Sequence, residues 1–391
     1  MKRLKVLHLI TTLPRLSGAG DNTRHTVNLL DPNRYEVHLA CGPAELDTSR
    51  VASHVSVMVI GSLVRPVALI SDLRATWDLF CLFRRERYDI VHTHNAKAGV
   101  LGRVAARLAD VPIAVHTAHS ISFAASASRL VNSLYRLVDR ASARLCAKIV
   151  TVSKVNTTTY LDARIGHPEQ YVTIYSGVET RKYLDRSQRS ACRAELGIGQ
   201  TEILVLWIGR LNRQKDPVTY VRAAKLLSEQ FPHVCFAIAG EDPVGDSVEP
   251  ELKKEIEQSQ LGSKVRLLGY RSDIERLLAA ADLVMHTSLY EGLGRSVIET
   301  MLSGVPLVAT SVDGVPEAVV SGERGGLLVS PRNPRALADA AAQLIGNPRV
   351  ASRLAAAGQS WAMERFDVRD MVTAIDQLYQ QLWQDNVWRR A

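Results

Sequence analysis

The sequence predicts an α/β protein built from two doubly wound domains, and three observations predict it. Short apolar, β-rich runs alternate with helical patterns along the whole chain. Those runs are nearly continuous in apolar residues, as strands of a parallel sheet covered on both faces must be. The alternation stalls once, over residues 176–200, a polar and charged stretch, and restarts at Ile203. A chain of 391 residues suits two such domains and buries a large core without staples.

The elements follow in order. The start, MKRLKVLHLITTLP, has the basic opening and apolar run of a secretory leader. The run is short, contains His8 and reaches Pro14 without a small-residue cleavage site, so Val6–Ile10 reads as the first strand. Strands are then expected at 37–40, 90–92, 113–116, 149–153 and 172–175, with helices at 69–87, 99–108 and 129–148. The second half repeats the rhythm, with strands at 203–208, 235–239, 265–267, 283–286 and 306–309 and helices at 217–231, 273–281 and 335–346. Residues 176–200 read as a linker. The domains are therefore placed at 1–182 and 183–365, with their cleft as the expected binding site. A terminal segment, 366–391, carries the amphipathic helix 368–383, able to pack back on the first domain. No repeat of solenoid period occurs.

Composition narrows the function classes. The chain is 46% hydrophobic and 23% charged, ordinary for a globular protein. Five cysteines lie far apart with no C-x-x-C, which excludes a zinc ribbon and points to a reducing, cytoplasmic setting. No 18-residue stretch is apolar and free of charge, so no membrane-spanning helix is expected. The net charge of +8 is uneven. Residues 1–182 hold 24 Lys and Arg against 14 Asp and Glu, while residues 183–391 hold 24 against 26. A basic first half suits nucleic acid, an anionic membrane or an anionic substrate, and equally suits scattered arginine with no partner.

Two second-half segments carry the chemistry. In 289–320, Glu291 and Glu299 are separated by seven residues, with Gly292, Leu293 and Gly294 opening a loop before a helix at 296–302. Loop amides and a helix N-terminus together form an anion site fit for a diphosphate. Glu299 can accept from ribose hydroxyls and Glu291 from sugar hydroxyls. In 206–217, a buried strand ends at Gly209, and Arg210 and Lys215 follow on the loop, placed to neutralise a diphosphate. Taken singly, two glutamates on a helix or a basic loop are ordinary solvated features.

Together these segments resemble the retaining glycosyltransferases of family 4, which have the GT-B fold of two Rossmann-like domains facing across a cleft. The likeness covers nearly the whole chain. It implies that Glu291 contacts the donor sugar, Glu299 the ribose, and Arg210 and Lys215 the diphosphate. It further implies that 269–274, with Arg271, lines the base pocket and that Gly240 lies near the donor site. In the first half, 17–30 resembles the family's glycine loop, but Ala19 separates Gly18 from Gly20 and leaves the key glycine open. It is not a dinucleotide fingerprint, since no third glycine follows. His92, His94, His116 and His119 sit at strand ends. Their spacing matches no zinc motif, and the resemblance points to His119 as the histidine beside the donor sugar. Lys97 reads as a phosphate ligand or a solvated lysine.

The implied reaction moves a sugar from a UDP- or GDP-sugar to an acceptor hydroxyl. Arg210, Lys215 and the loop amides stabilise the leaving diphosphate. A front-face attack, in which the departing phosphate oxygen takes the acceptor proton, needs no protein nucleophile. No D-x-D pair occurs, so no cofactor and no obligatory metal are expected. Segment 119–145 ends in a basic amphipathic helix, which suits an anionic membrane, a lipid-linked acceptor and polysaccharide assembly at the inner face of the plasma membrane. Its apolar stripe is equally readable as core. Two other classes remain open. One is a nucleotide-sugar epimerase of the same fold. The other is a basic nucleic-acid-binding protein, although no signature of one is present.

Overall fold

The computed structural model describes residues 3–15, 17–123, 128–242, 247–319 and 325–390. Parts of three segments read above, 124–127 of 119–145, Pro243 beside Gly240 and Val320 of 289–320, lie outside the described residues, as do Met1 and Lys2 at the start of the chain. The chain divides into two compact units, Met1–Gly177 with Val368–Ala391, and Val178–Asp367.

The first unit holds β1 (Leu4–Ile10), α1 (Gly18–Leu29), β2 (Tyr35–Cys41), β3 (Ser56–Val59), α2 (Leu69–Glu86), β4 (Ile90–His94) and α3 (Ala96–Leu108). It continues through β5 (Ile113–Ala118), α4 (Arg129–Ala143), β6 (Lys148–Thr151), α5 (Lys154–Asp162) and β7 (Tyr171–Thr173). Its seven strands form a parallel sheet in the order β3-β2-β1-β4-β5-β6-β7. β1 and β4 are buried along nearly their whole length, although β1 carries Lys5 and His8 and β4 runs His92-Thr93-His94 after its two apolar residues.

The second unit holds α6 (Arg189–Glu195), β8 (Ile203–Ile208), α7 (Pro217–Gln230), β9 (Val234–Ala239), α8 (Glu249–Gln258), β10 (Val265–Gly269), α9 (Ile274–Ala280) and β11 (Leu283–His286). Then come α10 (Arg295–Leu302), β12 (Leu307–Thr310), α11 (Val315–Val319), β13 (Leu327–Val329), α12 (Pro334–Gly346) and α13 (Pro348–Arg365). Its sheet is again parallel, in the order β10-β9-β8-β11-β12-β13. Trp207, Tyr220, Phe236 and Met285 anchor its core.

The chain then returns to the first unit as α14 (Val368–Arg390), longer than the expected 368–383. Met371, Ile375, Leu378 and Tyr379 of this helix are buried with Val6, Val37 and Val115 of the sheet. The helix therefore closes the face of the sheet that it shares with α1. Gly177 meets it so closely that a Cβ there would lie 2.5 Å from Val368 Cα.

Four local expectations are corrected. Residues 176–200 are not a free linker: they carry a 3-10 turn at Thr180–Tyr183 and α6. Arg189 and Arg193 of α6 hold Asp282 and the carbonyls that end α9, which gives this charged stretch its structure. The glycine stretch is not a loop. α1 begins at Gly18 because Ser17 caps it, its Oγ accepting from Gly20 N at 3.0 Å, so Gly18 and Gly20 lie in the first helical turn. The helix expected over 129–148 stops at Ala143, and Lys148 already belongs to β6. β3 and β13, only four and three residues long, escaped the sequence reading.

Candidate functional site

In the second unit, three strand ends meet through glycine. Gly209 N donates to Ala239 O at 3.1 Å and Gly240 N to Gly269 O at 2.8 Å. Gly240 has φ +153°, and a Cβ there would lie 1.7 Å from Gly209 O. Only glycine permits this approach of β8 and β9, and the approach aims the loop that follows Gly209.

That loop and the one after β11 form one network. Lys215 Nζ donates to Glu291 Oε1. Ser288 Oγ donates to the same oxygen at 2.7 Å, and His286 Nε2 lies 3.3 Å from it. Thr287 Oγ1 donates to Lys215 O at 2.7 Å while accepting from Trp207 Nε1 at 2.8 Å, so a buried core tryptophan fixes the lysine backbone. Gln214 Nε2 donates to Tyr290 O at 2.9 Å, and Arg210 Nη2 donates to Gln214 Oε1 at 3.2 Å. Arg210, Lys215 and Glu291 are thus brought together, as expected from strand-end logic.

Burial pushes the Glu291 carboxyl up, but the Lys215 charge and His286 outweigh it and hold the group well below the usual carboxylate range. Burial likewise lowers His286, against the opposing pull of Glu291. The site therefore keeps an ionised carboxylate and a cation in contact.

Glu291 N donates to Asp313 Oδ2 at 2.7 Å, which fixes the loop holding Gly292, Leu293 and Gly294. Gly294 is left-handed at φ +85° and supplies no side-chain cap to α10; its carbonyl accepts from the Val297 and Ile298 amides, which leaves the amides ahead of Val297 outside the intrahelical ladder. On that turn, Ser296 Oγ is buried and has no hydrogen-bond partner among the described residues. Glu299 sits one turn further in, 3.6 Å from Arg295 Nη2 and bonded to the Tyr183 hydroxyl. Arg271 stands apart. Its guanidinium is held by both oxygens of Asp273, at 2.8 and 2.7 Å, and by Glu195 at 2.9 Å. Its charge is thus already met by two carboxylates.

His119, Gly18 and Gly20 belong to the first unit. His8 joins His92 and His94 on one face of that sheet, their ligand atoms within 4.8 Å of one another, and His94 Nδ1 lies 3.1 Å from His119 Nε2. His116 is on the other face, bonded to Thr93 Oγ1 at 3.0 Å and seated against Gly99. Burial lowers His8 to about 3 and holds His92, His94 and His116 well below the usual histidine value. Lys97 pairs with Asp72 at 2.5 Å and also donates to Pro66 O.

Sequence reasoning missed His286, Ser288, Ser296 and Asp313, and it missed His8. Of these, Asp313 had a signal in the D-G pair after β12. A lone His8 in an apolar run had none.

Two family models match the chain, "Glycosyl transferase 4-like domain" over residues 17–177 and "Glycosyl transferases group 1" over 188–361. The UDP-Gal:alpha-D-GlcNAc-diphosphoundecaprenol alpha-1,3-galactosyltransferase of Escherichia coli is 27% identical over 330 residues, 84% of each chain. The D-inositol 3-phosphate glycosyltransferase of Corynebacterium glutamicum (strain R) is 28% identical, over 81% of this chain and 79% of that one. The crystal structure of Anabaena Alr3699/HepE in complex with UDP and glucose superposes with a TM-score of 0.83 at 24% identity, over 97% of this chain and all of that one. Both domain models, the curated relatives and the fold agree: this chain belongs to the GT-B glycosyltransferases of the family 4 type.

Proposed function

We propose that the enzyme transfers a hexosyl group, with retention, from a UDP- or GDP-sugar to a hydroxyl of a lipid-linked glycan in polysaccharide assembly. The observation that carries this reading is the buried Lys215–Glu291 pair beside the uncapped end of α10. A cation, helix amides and the orphan Ser296 hydroxyl suit a diphosphate whose charge grows as the sugar leaves. An ionised Glu291, held by Lys215, Ser288 and His286, suits hydroxyls of the donor sugar. The UDP and glucose in the Anabaena structure and the UDP-Gal in the Escherichia coli enzyme's name support a UDP-sugar.

Among these residues no nucleophile is required. Arg210 and Lys215 stabilise the leaving diphosphate, whose oxygen takes the acceptor proton as the acceptor oxygen bonds the anomeric carbon on the same face. The reading needs no resident metal. Glu299 takes the ribose.

The Escherichia coli relative's acceptor is an undecaprenol diphosphate sugar, which supports a lipid-linked acceptor. So does the surface of the first unit. α4 buries Asp139, Ser142 and Ala143 and turns Leu130, Leu134 and Leu137 outward, 84%, 59% and 61% exposed. The stripe is therefore not core. Leu69, Ile70, Leu73 and Trp77 of α2 are exposed too. At the end of α4, Arg140, Arg144, Arg164 and His167 line a hollow of about 450 Å³ suited to anionic headgroups. No helix among the described residues is long and apolar enough to cross a membrane; the contact in this reading is a peripheral one, at the cytoplasmic leaflet.

The test is nucleotide release from a panel of UDP- and GDP-sugars, with and without polyprenyl-diphosphate sugars, in the presence of EDTA. Release that requires the lipid-linked acceptor supports the reading. Donor epimerisation without acceptor favours the epimerase, and transfer only to a soluble inositol phosphate would place the enzyme beside its Corynebacterium relatives.

A further inference from the structure

A single file of hydrogen bonds crosses the inner face of the first sheet. Thr117 Oγ1 lies 2.6 Å from His92 Nε2, and His92 Nδ1 lies 2.5 Å from the Tyr379 hydroxyl. That hydroxyl lies 3.2 Å from His8 Nε2. His8 Nδ1 lies 2.9 Å from His94 Nε2, and His94 Nδ1 lies 3.1 Å from His119 Nε2. Strand register builds the file: His8 stands opposite His92 on β1 and β4, and His94 opposite Thr117 on β4 and β5. Tyr379 comes from α14, and all members but His119 are buried.

The ring nitrogens of His8, His92 and His94 are all partnered within this file. A metal ion among them would have to break bonds already made. The rings also stack rather than converge, with His92 and His94 at 4.5 Å and 22°.

A neutral imidazole has one N–H and one acceptor nitrogen, and each bond of the file needs one proton. If Thr117 donates to His92, every later proton points the same way and His119 Nε2 accepts. If His119 Nε2 donates, every proton is reversed and Thr117 accepts. The tautomers of four histidines are thus set together, and among the described residues the one link between the His92 segment and the His8 segment is the Tyr379 hydroxyl.

We propose that Tyr379 is a positioning residue that, through His8 and His94, fixes the tautomer and ring plane of His119. The kinetic consequence rests on the glycosyltransferase reading that places His119 at the donor sugar; the tautomer claim does not. Removing the hydroxyl cuts the file in two, and the His8–His94–His119 half can then invert alone.

The test uses the full chain with ¹⁵N-labelled histidine, reading imidazole tautomers by long-range ¹H–¹⁵N correlation. Wild type should show His8, His92, His94 and His119 each in one tautomer. Tyr379→Phe should leave the circular dichroism spectrum intact but mix or invert His119. Thr117→Val, at the far end, should alter His8, three bonds along the file, and Thr117→Ser should restore it. In the transfer assay, Tyr379→Phe should lower kcat by ~10-fold with donor KM little changed, the pattern of a misplaced group. Unchanged His119 and His8 resonances in folded variants would overturn the proposal. So would stoichiometric Zn²⁺ binding that shifts His8, His92 and His94 together, since the cluster would then be an ion site. Absence of transfer by wild type from any sugar nucleotide would sink the functional reading while leaving the ¹⁵N result standing.

Discussion

The two units place titratable groups in or just beyond central parallel strands, His8 and His92 inside β1 and β4 and Glu291 on the loop after β11, and treat them in opposite ways. In the second unit a buried carboxylate stays charged because Lys215 touches it. In the first, burial is not offset, and His8, His92 and His94 stay neutral. Burial opposes the charged form in both; the presence of an opposite charge decides the outcome. Ionised groups suit a site that meets a diphosphate. Neutral histidines suit hydrogen bonding in a fixed direction.

The largest expected effect separates the two by pH. A buried histidine with a lowered value is neutral when folded and protonated when unfolded, so the unfolded state binds more protons below about pH 6.5. Stability of the first unit should fall as pH drops from 6.5 toward 5, by roughly 1–2 kcal/mol for each such histidine. Glu291 works in another window. Its folded value is depressed, so its contribution is complete above the unfolded value of about 4.3 and is lost only as pH falls below that. His286 in β11 is lowered too, so the second unit loses one histidine's share over the same window. Urea unfolding followed by hydrogen exchange at pH 7, 6 and 5 should therefore show amides of β1, β4 and β5, which hold His8, His92, His94 and His116, losing more protection than those of β8 and β11. Equal losses in both units would erase the contrast.

Next in size is the pair itself. Lys215→Met leaves Glu291 buried without its cation and should destabilise the second unit by about 3 kcal/mol. Adding Glu291→Gln should recover part of that loss, because the uncompensated charge is gone. A double variant as unstable as the sum of the two singles would mean that packing, not charge, holds this loop. Denaturant midpoints decide between these outcomes.

The smallest effect is at Ser296. Ser296→Ala removes a hydroxyl with no protein partner among the described residues, so stability should move by no more than about 0.5 kcal/mol. Binding of UDP, read by calorimetry, should weaken by a factor of about 10, the lower end for one hydrogen bond to a charged group. Unchanged affinity would take the hydroxyl out of the site.

The sequence made the second unit's site easier to read than the first's. Arg210, Lys215 and Glu291 each follow a strand whose apolar run is plain, and the glycines beside them mark the loops. The partners that tune them were not legible. His286 looks like the end of a strand, and Ser288 and Asp313 look like turn residues. The histidine file was harder still, because it depends on strand register and on a tyrosine 287 positions from His92. α4 reads the same from sequence whether its apolar stripe faces in or out. Burial of Asp139, Ser142 and Ala143 decides that it faces out. β3 and β13 are too short to show a period.

The claim at the centre of the account is that the cations of the second unit act on the leaving diphosphate rather than merely gripping substrate. Arg210 is the better probe. Among the described residues its guanidinium meets only Gln214, so its removal should leave the fold unstrained. Donor-saturation kinetics of Arg210→Ala against wild type measure the claim directly. The expected result is that kcat falls by about 100-fold while donor KM changes little, because the charge that Arg210 meets grows only as the sugar–phosphate bond breaks. A raised KM with kcat intact would contradict it and reduce Arg210 to a binding contact.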